Sequence, residues 1–300
     1  MLTRMPQPIP EHEACDETAR IYHEIRQTLR VSGVNLNFRT WAGFPRFFPV
    51  MWSAMQPIAA SQAFESGADR VRAHAAALAG ELPPLQIEAT VGESQRFQIQ
   101  SALALYHYIN PKLLVFTILV RRGLAGEAST AASSGTELGP RVPFGAPRRM
   151  AAMEMVDESP ADRRLRRLFR DIKTTMRLSS INSDYRTLAL WPDYLEPVWV
   201  SLKRVVRTDE YRQAAHVLVQ EAASVADRFP APVNLDLRRL KGRGDNMTAV
   251  LDVTTRFERL LPPLILNIAL LARDWWPGDE LRRSPFPITG DAVEAKGSAS

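Results

Sequence analysis

Cysteine is nearly absent from this 300-residue sequence, which contains Cys15 and no other. A lone cysteine excludes an intramolecular disulfide, a CxxC redox pair and a cysteine-rich metal site, and it is typical of a reducing compartment. The five histidines form neither an HxxxH nor an HxH pair, so zinc is not indicated, and no glycine-rich phosphate loop is present. We therefore predict a cytoplasmic protein that uses no metal and no other cofactor.

Long apolar runs are also missing. The N-terminal segment lacks the apolar core of a signal peptide. The apolar run LLPPLILNIALLA, which begins at Leu260, has 13 residues and two prolines, whereas a membrane span requires about 20. We interpret this run as a buried helix and predict that the chain is soluble and has no membrane partner.

Charge of one sign is in modest excess, with a formal net charge of +5. A basic balance is compatible with nucleic acid or with an anionic small molecule as a partner. The Lys and Arg residues are scattered, and the arginines between positions 163 and 170 have the spacing of a solvent-exposed helix face. Because no nucleic-acid-binding motif accompanies the charge, we predict no nucleic-acid partner.

Signals for β-structure are absent, whereas helical periodicity is clear in both halves. The NG and DG dipeptides of tight hairpins do not occur. Apolar residues recur at intervals of four, which is typical of one helix face. These residues are Ile21, Ile25 and Leu29 in the first half and Leu168, Ile172 and Met176 in the second. We predict an all-α protein with a helical bundle in each half.

The two halves align without a gap at an offset of 147 residues. Ten of 37 positions are identical between residues 21–57 and 168–204, where unrelated sequences would share about two or three. Identical pairs include Asn35 and Asn182, Arg39 and Arg186, Pro45 and Pro192, and Trp52 and Trp199. A weaker match in apolar pattern aligns the segment from Ile109 with the segment from Leu261 at an offset of 152. We predict two pseudosymmetric repeats.

The predicted organisation has four parts. Helical repeat 1 occupies residues 1–123, a linker 124–153, helical repeat 2 residues 154–281 and a C-terminal tail 282–300. The linker is rich in Gly, Ala, Ser and Pro and is long for a loop within one domain, and we expect the tail to be partly disordered. Two like units usually pack about a twofold axis, so a site between the repeats would draw residues from both.

One polar position breaks the symmetry, because Asp184 in INSDYRTLALWP aligns with Asn37 in VNLNFRTWAGFP. Asp184 is either a helix N-cap, with a pKa lowered by the helix dipole, or an ionised carboxylate at the seam between the repeats. Asn110 in YHYINPK aligns with Pro262. It is either a turn former before proline or an amide that orients water or substrate.

A hydroxyl and an acid form a second candidate pair. Ser61 and Glu65 are four positions apart, so they share one helix face. Their counterparts in the second repeat are Thr208 and Arg212, so the hydroxyl recurs and the acid does not. Glu65 is either a solvated surface carboxylate or a functional residue.

These residues belong to an ordered series of motifs that resembles the group I 2-haloacid dehalogenases, an all-helical family with non-stereospecific and D-specific members. The motifs are IRQTLRV, FPVMW, YHYINPK, INSDY followed by WP, and SPFPI, and they span about residues 21–288. The resemblance implies two pseudosymmetric helical repeats with the active site between them. It also implies a homodimer, a small 2-haloacid substrate and a reaction without metal or cofactor.

The resemblance also implies roles for individual residues. Asp184 would be the catalytic aspartate, and with Asn110 it would hold and deprotonate a water that attacks the α-carbon, with inversion and without an ester intermediate. The implied substrate-binding residues are Asn182, Ser183, Ser61, Glu65, Leu36, Gly33 and Tyr185. Backbone N–H groups at a helix start, such as those following Asn182, are candidates for holding the substrate carboxylate.

Some positions depart from the family pattern or bear on stereochemistry. Asn182 resembles the D-specific branch, in which it fills the space of one enantiomer's substituent, so we predict D-2-haloacids. A Pro-Trp pair of the family is Ser32-Gly33 here, a pocket aromatic is Leu36, and a family threonine is Ser61. Losing about 150–250 Å² of aromatic surface leaves three interpretations: bulkier substrates, another side chain in the void, or weak activity.

A different function class remains open on the sequence alone. A non-catalytic helical repeat protein that binds a small acid or a protein partner would keep the core and would need neither Asp184 nor Asn110. The presence of both residues together with Glu65 favours the enzyme. A redox enzyme on a similar scaffold would need a CxxC pair, which the lone Cys15 excludes.

Overall fold

A computed structural model describes residues 7–86, 89, 91–127, 138–230, 235 and 244–288. Within these ranges the regular elements are all helical, and the β-type pairing is an isolated bridge between Ser61 and Arg141. The prediction of an all-α protein is therefore confirmed.

The helices follow the chain in two similar series. The first half contains a 3-10 turn at Glu11–Glu13 and then α1 (Asp16–Leu29), α2 (Leu36–Trp41), α3 (Phe47–Ala59), α4 (Gln62–Glu81) and α5 (Glu93–Ala125). The second half contains α6 (Arg163–Met176), α7 (Ser183–Leu188), α8 (Pro192–Val206), α9 (Asp209–Ala226) and α10 (Met247–Ala272), followed by α11 (Gly278–Leu281). In each series a very short second helix, α2 or α7, precedes the third, and a long apolar helix, α5 or α10, follows the fourth.

Hydrogen bonds of the side chains recur at the sequence offset of 147. The indole of Trp52 donates to Glu24 over 2.7 Å, and the indole of Trp199 donates to Asp171 over the same distance. Burial of an indole requires a partner for its N–H, and each half supplies a carboxylate from its first helix. The third helix is thus tied to the first in the same way in both halves.

The segments that lead into α2 and α7 also match. Glu11 accepts a hydrogen bond from the backbone N–H of Val34 over 2.7 Å, and Glu158 accepts one from that of Ile181 over 3.3 Å. Both pairs lie 147 residues apart in sequence. The same acid therefore supports the turn before the short helix in each half. The limits of the two repeats themselves remain predictions.

The two halves pack against each other through reciprocal helix–helix contacts. The long helices α5 and α10 pack against each other at the centre, and α4 packs against α9. Each short helix lies on the long helix of the other half, since α7 contacts α5 and α2 contacts α10. This exchange places Asp184 of the second half against Asn110 of the first.

Aromatic packing fixes α2 in this arrangement. The ring of Phe38 contacts that of Phe116 on α5 with centroids 5.1 Å apart. The indole of Trp41 donates to Thr254 on α10 over 3.1 Å. Each fully buried ring of this size contributes about 1.5–3 kcal/mol to the free energy of folding. The opposite side of α2, which carries Leu36, is left free to line a cleft.

Helix α5 is long and apolar enough to cross a membrane by length and composition alone. Its whole apolar window is buried inside the protein, against α4, α7, α9 and α10. In the sequence, polar residues such as His107, Asn110 and Lys112 interrupt the apolar pattern of α5, whereas the run from Leu260, which is part of α10, is more uniformly apolar. The burial is that of a core helix, and the absence of a membrane partner stays a prediction.

The predicted linker and tail are partly visible. Helix α5 continues to Ala125, two residues beyond the predicted end of the first repeat, and residues 128–137 of the linker lie outside the described residues. Past them the linker follows the first half, because the backbone N–H of Val142 bonds to Ala60 over 2.9 Å. In the tail, Phe286 is buried against Tyr108. The expectation of partial disorder covers the tail 282–300, of which residues 289–300 lie outside the described residues.

Candidate active site

A buried carboxylate–amide pair lies where the two halves meet. The Nδ2 of Asn110 donates to Oδ1 of Asp184 over 2.6 Å, and the two residues are 2% and 4% exposed. Asn182 occupies the N-cap position of α7 and Asp184 lies in the first turn, so the N-cap interpretation of Asp184 is wrong. Asn110 lies inside α5, so its interpretation as a turn former is wrong as well.

Helix α5 continues through Pro111 because Arg72 donates a hydrogen bond to the backbone carbonyl that the proline leaves without a partner. Proline has no N–H, so it cannot bond to the carbonyl of His107 four residues earlier. The guanidinium of Arg72, which is fully buried, donates from Nε to that carbonyl over 2.9 Å and from Nη2 to the carbonyl of Tyr108 over 3.2 Å. The helix therefore stays intact at the point where Asn110 must face α7.

A second side-chain hydrogen bond, besides that between Asn110 and Asp184, joins α5 to α7. The hydroxyls of Tyr106 and Thr187 lie 2.7 Å apart, and Thr187 donates its own hydrogen to the carbonyl of Glu154 over 2.6 Å. Tyr106 must therefore be the donor to Thr187. Because Tyr106 and Asn110 are one turn apart on α5, the two contacts fix both the position and the rotation of α7. Sequence reasoning missed this bond, although Thr187 is one of the residues identical in both repeats.

Burial raises the pKa of Asp184 to about 6, although the hydrogen bonds from Asn110 and from its own backbone N–H act in the opposite direction. The expectation that the helix dipole lowers this pKa is therefore wrong. Burial also raises the pKa of Tyr106 and of Tyr185, and the charge of Asp184 adds to both shifts. Both phenols remain protonated at neutral pH. Asp184 is thus mostly ionised at pH 7, yet more basic than an exposed aspartate, which suits a general base.

This pKa predicts the pH dependence of the reaction. If Asp184 is a general base, it acts only when deprotonated, so log(kcat/KM) should rise with pH up to an inflection at about 6 and then level off. Initial rates between about pH 4 and pH 9 would test this, with circular dichroism at each pH as the control for folding. A rate that stays level well below pH 6 would contradict the assignment of Asp184 as the base.

A cleft of about 450 Å³ has Asn182, the N-cap of α7, in its wall. It is lined by Gln7, Pro8, Leu36, Thr40, Glu158, Ser179, Ser180, Asn182, Val253, Arg256, Phe257 and Leu260. Asp184 follows Asn182 by two residues and is buried, and neither Asp184 nor Asn110 is part of the lining. The volume is within the range of small-molecule sites. A larger cavity of about 1050 Å³ borders the N-terminal part of α5 and the C-terminal segment, and neither Asn182 nor any residue of α7 lines it.

Two of the predicted substrate-binding residues, Leu36 and Asn182, line this cleft. Ser183 is buried next to Asp184. Tyr185 points elsewhere, because its hydroxyl accepts a bond from Asn267 over 2.7 Å and its ring packs on that of Trp199. The structure therefore does not bring Tyr185 to the cleft, and its contacts instead anchor α7 in the second half.

Gly33 does not line the cleft either. A Cβ atom at this position would lie 2.9 Å from Cβ and 3.2 Å from Sδ of Met153, closer than the packing allows. The linker is held over this turn by the hydroxyl of Ser32, which donates to the carbonyl of Ala151 over 2.6 Å. Of the three interpretations for the missing tryptophan, the structure supports the second, because Met153 occupies the space next to Gly33.

The hydroxyl of Ser61 already forms hydrogen bonds with the neighbouring backbone. It is the N-cap of α4, where its hydroxyl accepts from the N–H of Phe64 over 3.1 Å and donates to the carbonyl of Ile58 over 2.7 Å. Thr208 caps α9 in the same way, by accepting from the N–H of Tyr211 over 3.2 Å. The recurrence of a hydroxyl in both repeats is therefore explained by capping.

Glu65 is buried, so its interpretation as a solvated carboxylate is wrong. It is 2% exposed and forms an ion pair with Nζ of Lys112 over 2.7 Å. Lys112 lies two residues after Asn110, which places the two side chains about 200° apart around α5. Glu65 therefore contacts the face of α5 opposite to the one that carries Asn110, and the structure does not bring Glu65 to Asp184.

The ion pair belongs to a buried polar cluster. Nζ of Lys112 also donates to the carbonyl of Leu29 over 3.0 Å and to the hydroxyl of Tyr108 over 2.6 Å. Burial opposes the ionisation of Glu65, yet the charge of Lys112 and hydrogen bonds from Lys112 and Tyr108 hold its pKa below the usual value. Burial lowers the pKa of Lys112 to about 8. The pair is thus ionised at pH 7, and it ties α5 to α1 and α4.

An all-α chain with a buried, basic carboxylate beside a small cleft has the features of a hydrolase in which a carboxylate activates water. Comparison with known proteins agrees. Residues 32–185 match the family described as halocarboxylic acid dehydrogenase DehI. The chain is 29% identical to an (R)-2-haloacid dehalogenase of Pseudomonas putida over 87% of this chain and 90% of that protein.

Two further relatives extend the comparison over nearly the whole chain. A configuration-inverting 2-haloacid dehalogenase of Pseudomonas sp. (strain 113) is 31% identical over 96% of both proteins. The solved structure of a D-2-haloacid dehalogenase mutant in complex with D-2-CPA superposes with a TM-score of 0.83, at 26% identity, over 92% of this chain and 98% of that one. The chain therefore belongs to the DehI family. The prediction of a 2-haloacid dehalogenase is confirmed.

Proposed function

We propose that this enzyme converts D-2-haloacids to the corresponding L-2-hydroxy acids by direct attack of water. The buried pair of Asp184 and Asn110, with its raised carboxyl pKa, is the observation that carries the mechanism. The relatives named (R)-2-haloacid dehalogenase and configuration-inverting dehalogenase support the substrate and the inversion.

In this mechanism Asp184 takes a proton from a water molecule held between its carboxylate and the amide of Asn110. Asn110 donates through Nδ2 to Asp184, so its carbonyl oxygen remains an acceptor for the water. The water oxygen attacks the α-carbon from the side opposite the halogen, and the carbon–halogen electron pair departs with the halide. The proton then leaves Asp184 for solvent. General-base assistance of this kind contributes about 10²–10⁴ in rate.

The enantiomer preference provides the test of the substrate assignment. We expect halide release from D-2-chloropropionate and little from the L-enantiomer, because Asn182 lies in the cleft wall two residues before Asp184. Asn182→Ala should increase the rate on the L-acid, as measured by halide release and chiral analysis of the product. Equal wild-type rates on both enantiomers would contradict the role of Asn182.

The first half offers a matched control. Asn35 is the N-cap of α2, as Asn182 is of α7, and neither makes a side-chain capping bond. Asn35 is buried to a similar extent but does not line the cleft. Asn35→Ala should therefore leave the ratio of D to L rates unchanged.

Three properties that accompany this function are also proposals. We expect a homodimer, which sedimentation would reveal, and a cytoplasmic location.

Among the described residues no group of three or more His, Cys, Asp and Glu side chains is arranged to hold a metal ion. The independence from metal and cofactor needs its own measurement, and activity should survive EDTA and extensive dialysis. Loss of activity with chelator and rescue by a divalent ion would contradict the proposed mechanism.

A further inference from the structure

The cleft beside Asn182 contains one cationic side chain among the described residues that line it. This residue is Arg256, which lies on α10 opposite the turn that precedes α7. The rest of the lining is apolar or uncharged apart from Glu158. A cation in this position matters because the proposed substrate and both of its products are anions.

Arg256 is available to bind a ligand. Within the described part of the chain it has neither an ion-pair nor a hydrogen-bond partner. By contrast, Glu258 two residues later is already paired with Arg121 over 2.6 Å. Arg256 is exposed at the cleft, so its guanidinium can reach a carboxylate without the desolvation cost of a buried charge.

Glu158, the acidic residue in the same cleft, already has a hydrogen-bond partner in the backbone. Glu158 accepts the backbone N–H of Ile181, and its counterpart Glu11 makes the same contact in the first half. Arg256 has no such counterpart, because position 104 is alanine at the offset of 152 that aligns Asn110 with Pro262. The cation is therefore specific to the second half, which also carries Asp184.

We propose that Arg256 binds the carboxylate of the 2-haloacid and thereby selects acids over neutral analogues. This assignment rests on the proposed function for the identity of the substrate. The planar guanidinium matches a carboxylate with two parallel N–H···O bonds. Helix α7 has only six residues, so its N-terminus is a weak source of positive charge, and the side chain of α10 supplies the charge instead.

Binding measurements test the assignment without turnover. L-Lactate carries the carboxylate, and lactamide is its neutral analogue of similar shape. Calorimetry with Arg256→Gln should show the Kd for L-lactate raised about tenfold, as expected for the loss of a charge-assisted bond, and the affinity for lactamide unchanged. Arg256→Lys should recover part of the affinity, because the charge returns without the planar geometry.

Arg259 provides the matched control, since it is exposed on the same helix and does not line the cleft. Arg259→Gln should leave lactate binding unchanged. In turnover of D-2-chloropropionate, Arg256→Gln should raise KM about tenfold while kcat changes less than about twofold, and the wild-type KM should rise with added salt. Unchanged lactate affinity in Arg256→Gln, or a loss in kcat with KM unchanged, would overturn the assignment.

The two assays separate this inference from the proposed function. If lactate binding depends on Arg256 but no 2-haloacid releases halide, the carboxylate site stands and the proposed reaction fails. If Arg256→Gln releases halide with an unchanged KM for D-2-chloropropionate and binds L-lactate with wild-type affinity, the proposed reaction stands and the carboxylate site fails.

Discussion

Asp184→Asn is expected to lower the rate of dehalogenation by at least about 10²–10⁴ while the protein remains folded. The amide keeps an oxygen that can accept the bond from Asn110, but it cannot take a proton from water. The first repeat already has asparagine at the aligned position, Asn37. Halide release by the purified variant and circular dichroism would measure the two properties. Activity within tenfold of the wild type would exclude Asp184 as the base.

The same variant should be more stable than the wild type at high pH. The pKa of Asp184 is raised from 3.8 to about 6 in the folded state, so ionising it there costs about 3 kcal/mol more than in the unfolded chain. This penalty is absent below pH 3.8 and is fully present above about pH 6. Denaturant unfolding at about pH 4 and pH 8 should therefore show a stabilising effect of Asp184→Asn only at the higher pH.

The pseudosymmetric position gives a matched control for the base. Asn37→Asp should not create a second active site, because Pro262 aligns with Asn110 and cannot supply the amide. The double variant Asn37→Asp with Asp184→Asn should be as inactive as Asp184→Asn alone. Recovered activity in the double variant would show that the first repeat can replace the second.

Isotope labelling distinguishes the two ways in which an aspartate can act. In a single turnover in ¹⁸O-water, direct attack by water places the label in the hydroxy acid on the first turnover. A nucleophilic carboxylate would instead leave the label in Asp184 and release a first product with unlabelled oxygen. Label in the peptide that contains Asp184 would overturn direct attack, although the assignment of the enzyme as a dehalogenase would stand.

Lys112→Met is expected to destabilise the protein by about 3–5 kcal/mol, the second largest effect that the structure predicts. The substitution leaves Glu65 buried without its partner, since the two side chains are 1% and 3% exposed. It also removes the bond to the carbonyl of Leu29, which ties α5 to α1, and the bond to the hydroxyl of Tyr108 within α5. Equilibrium unfolding in urea at neutral pH would measure the loss. A change below about 1 kcal/mol would contradict a structural role for the pair.

Two control variants test whether the loss of stability in Lys112→Met depends on the burial of the ion pair. Arg70 and Glu221 form an ion pair of similar length, 2.6 Å, but are 41% and 20% exposed, so Glu221→Gln should cost less than about 1 kcal/mol. The double variant Glu65→Gln with Lys112→Met removes both charges and should be more stable than Lys112→Met alone. Its kcat would show whether the rotation of α5, and with it the orientation of Asn110, depends on the pair.

The helical class and the repeat could be predicted because they depend on local pattern. Apolar residues at intervals of four define a helix face wherever the helix later packs, and a duplicated sequence is visible as identity at a constant offset. Asp184 and Asn110 could be proposed from their motifs and from the break in symmetry. Their contact could not be predicted, because 74 residues separate them in sequence. Only the packing of α7 of the second half against α5 of the first half brings them together.

The tertiary structure decided the remaining assignments, since each depends on a neighbour distant in sequence. Glu65 has the pattern of a surface acid, and only the packing of α4 against α5 pairs it with Lys112 and buries both. Gly33 suggests an open pocket, and only the returning linker places Met153 over it. The pKa of Asp184 depends on burial between two halves, a property of the assembled fold. Sequence pattern reports which face of an element is apolar, but it does not report which element will cover that face.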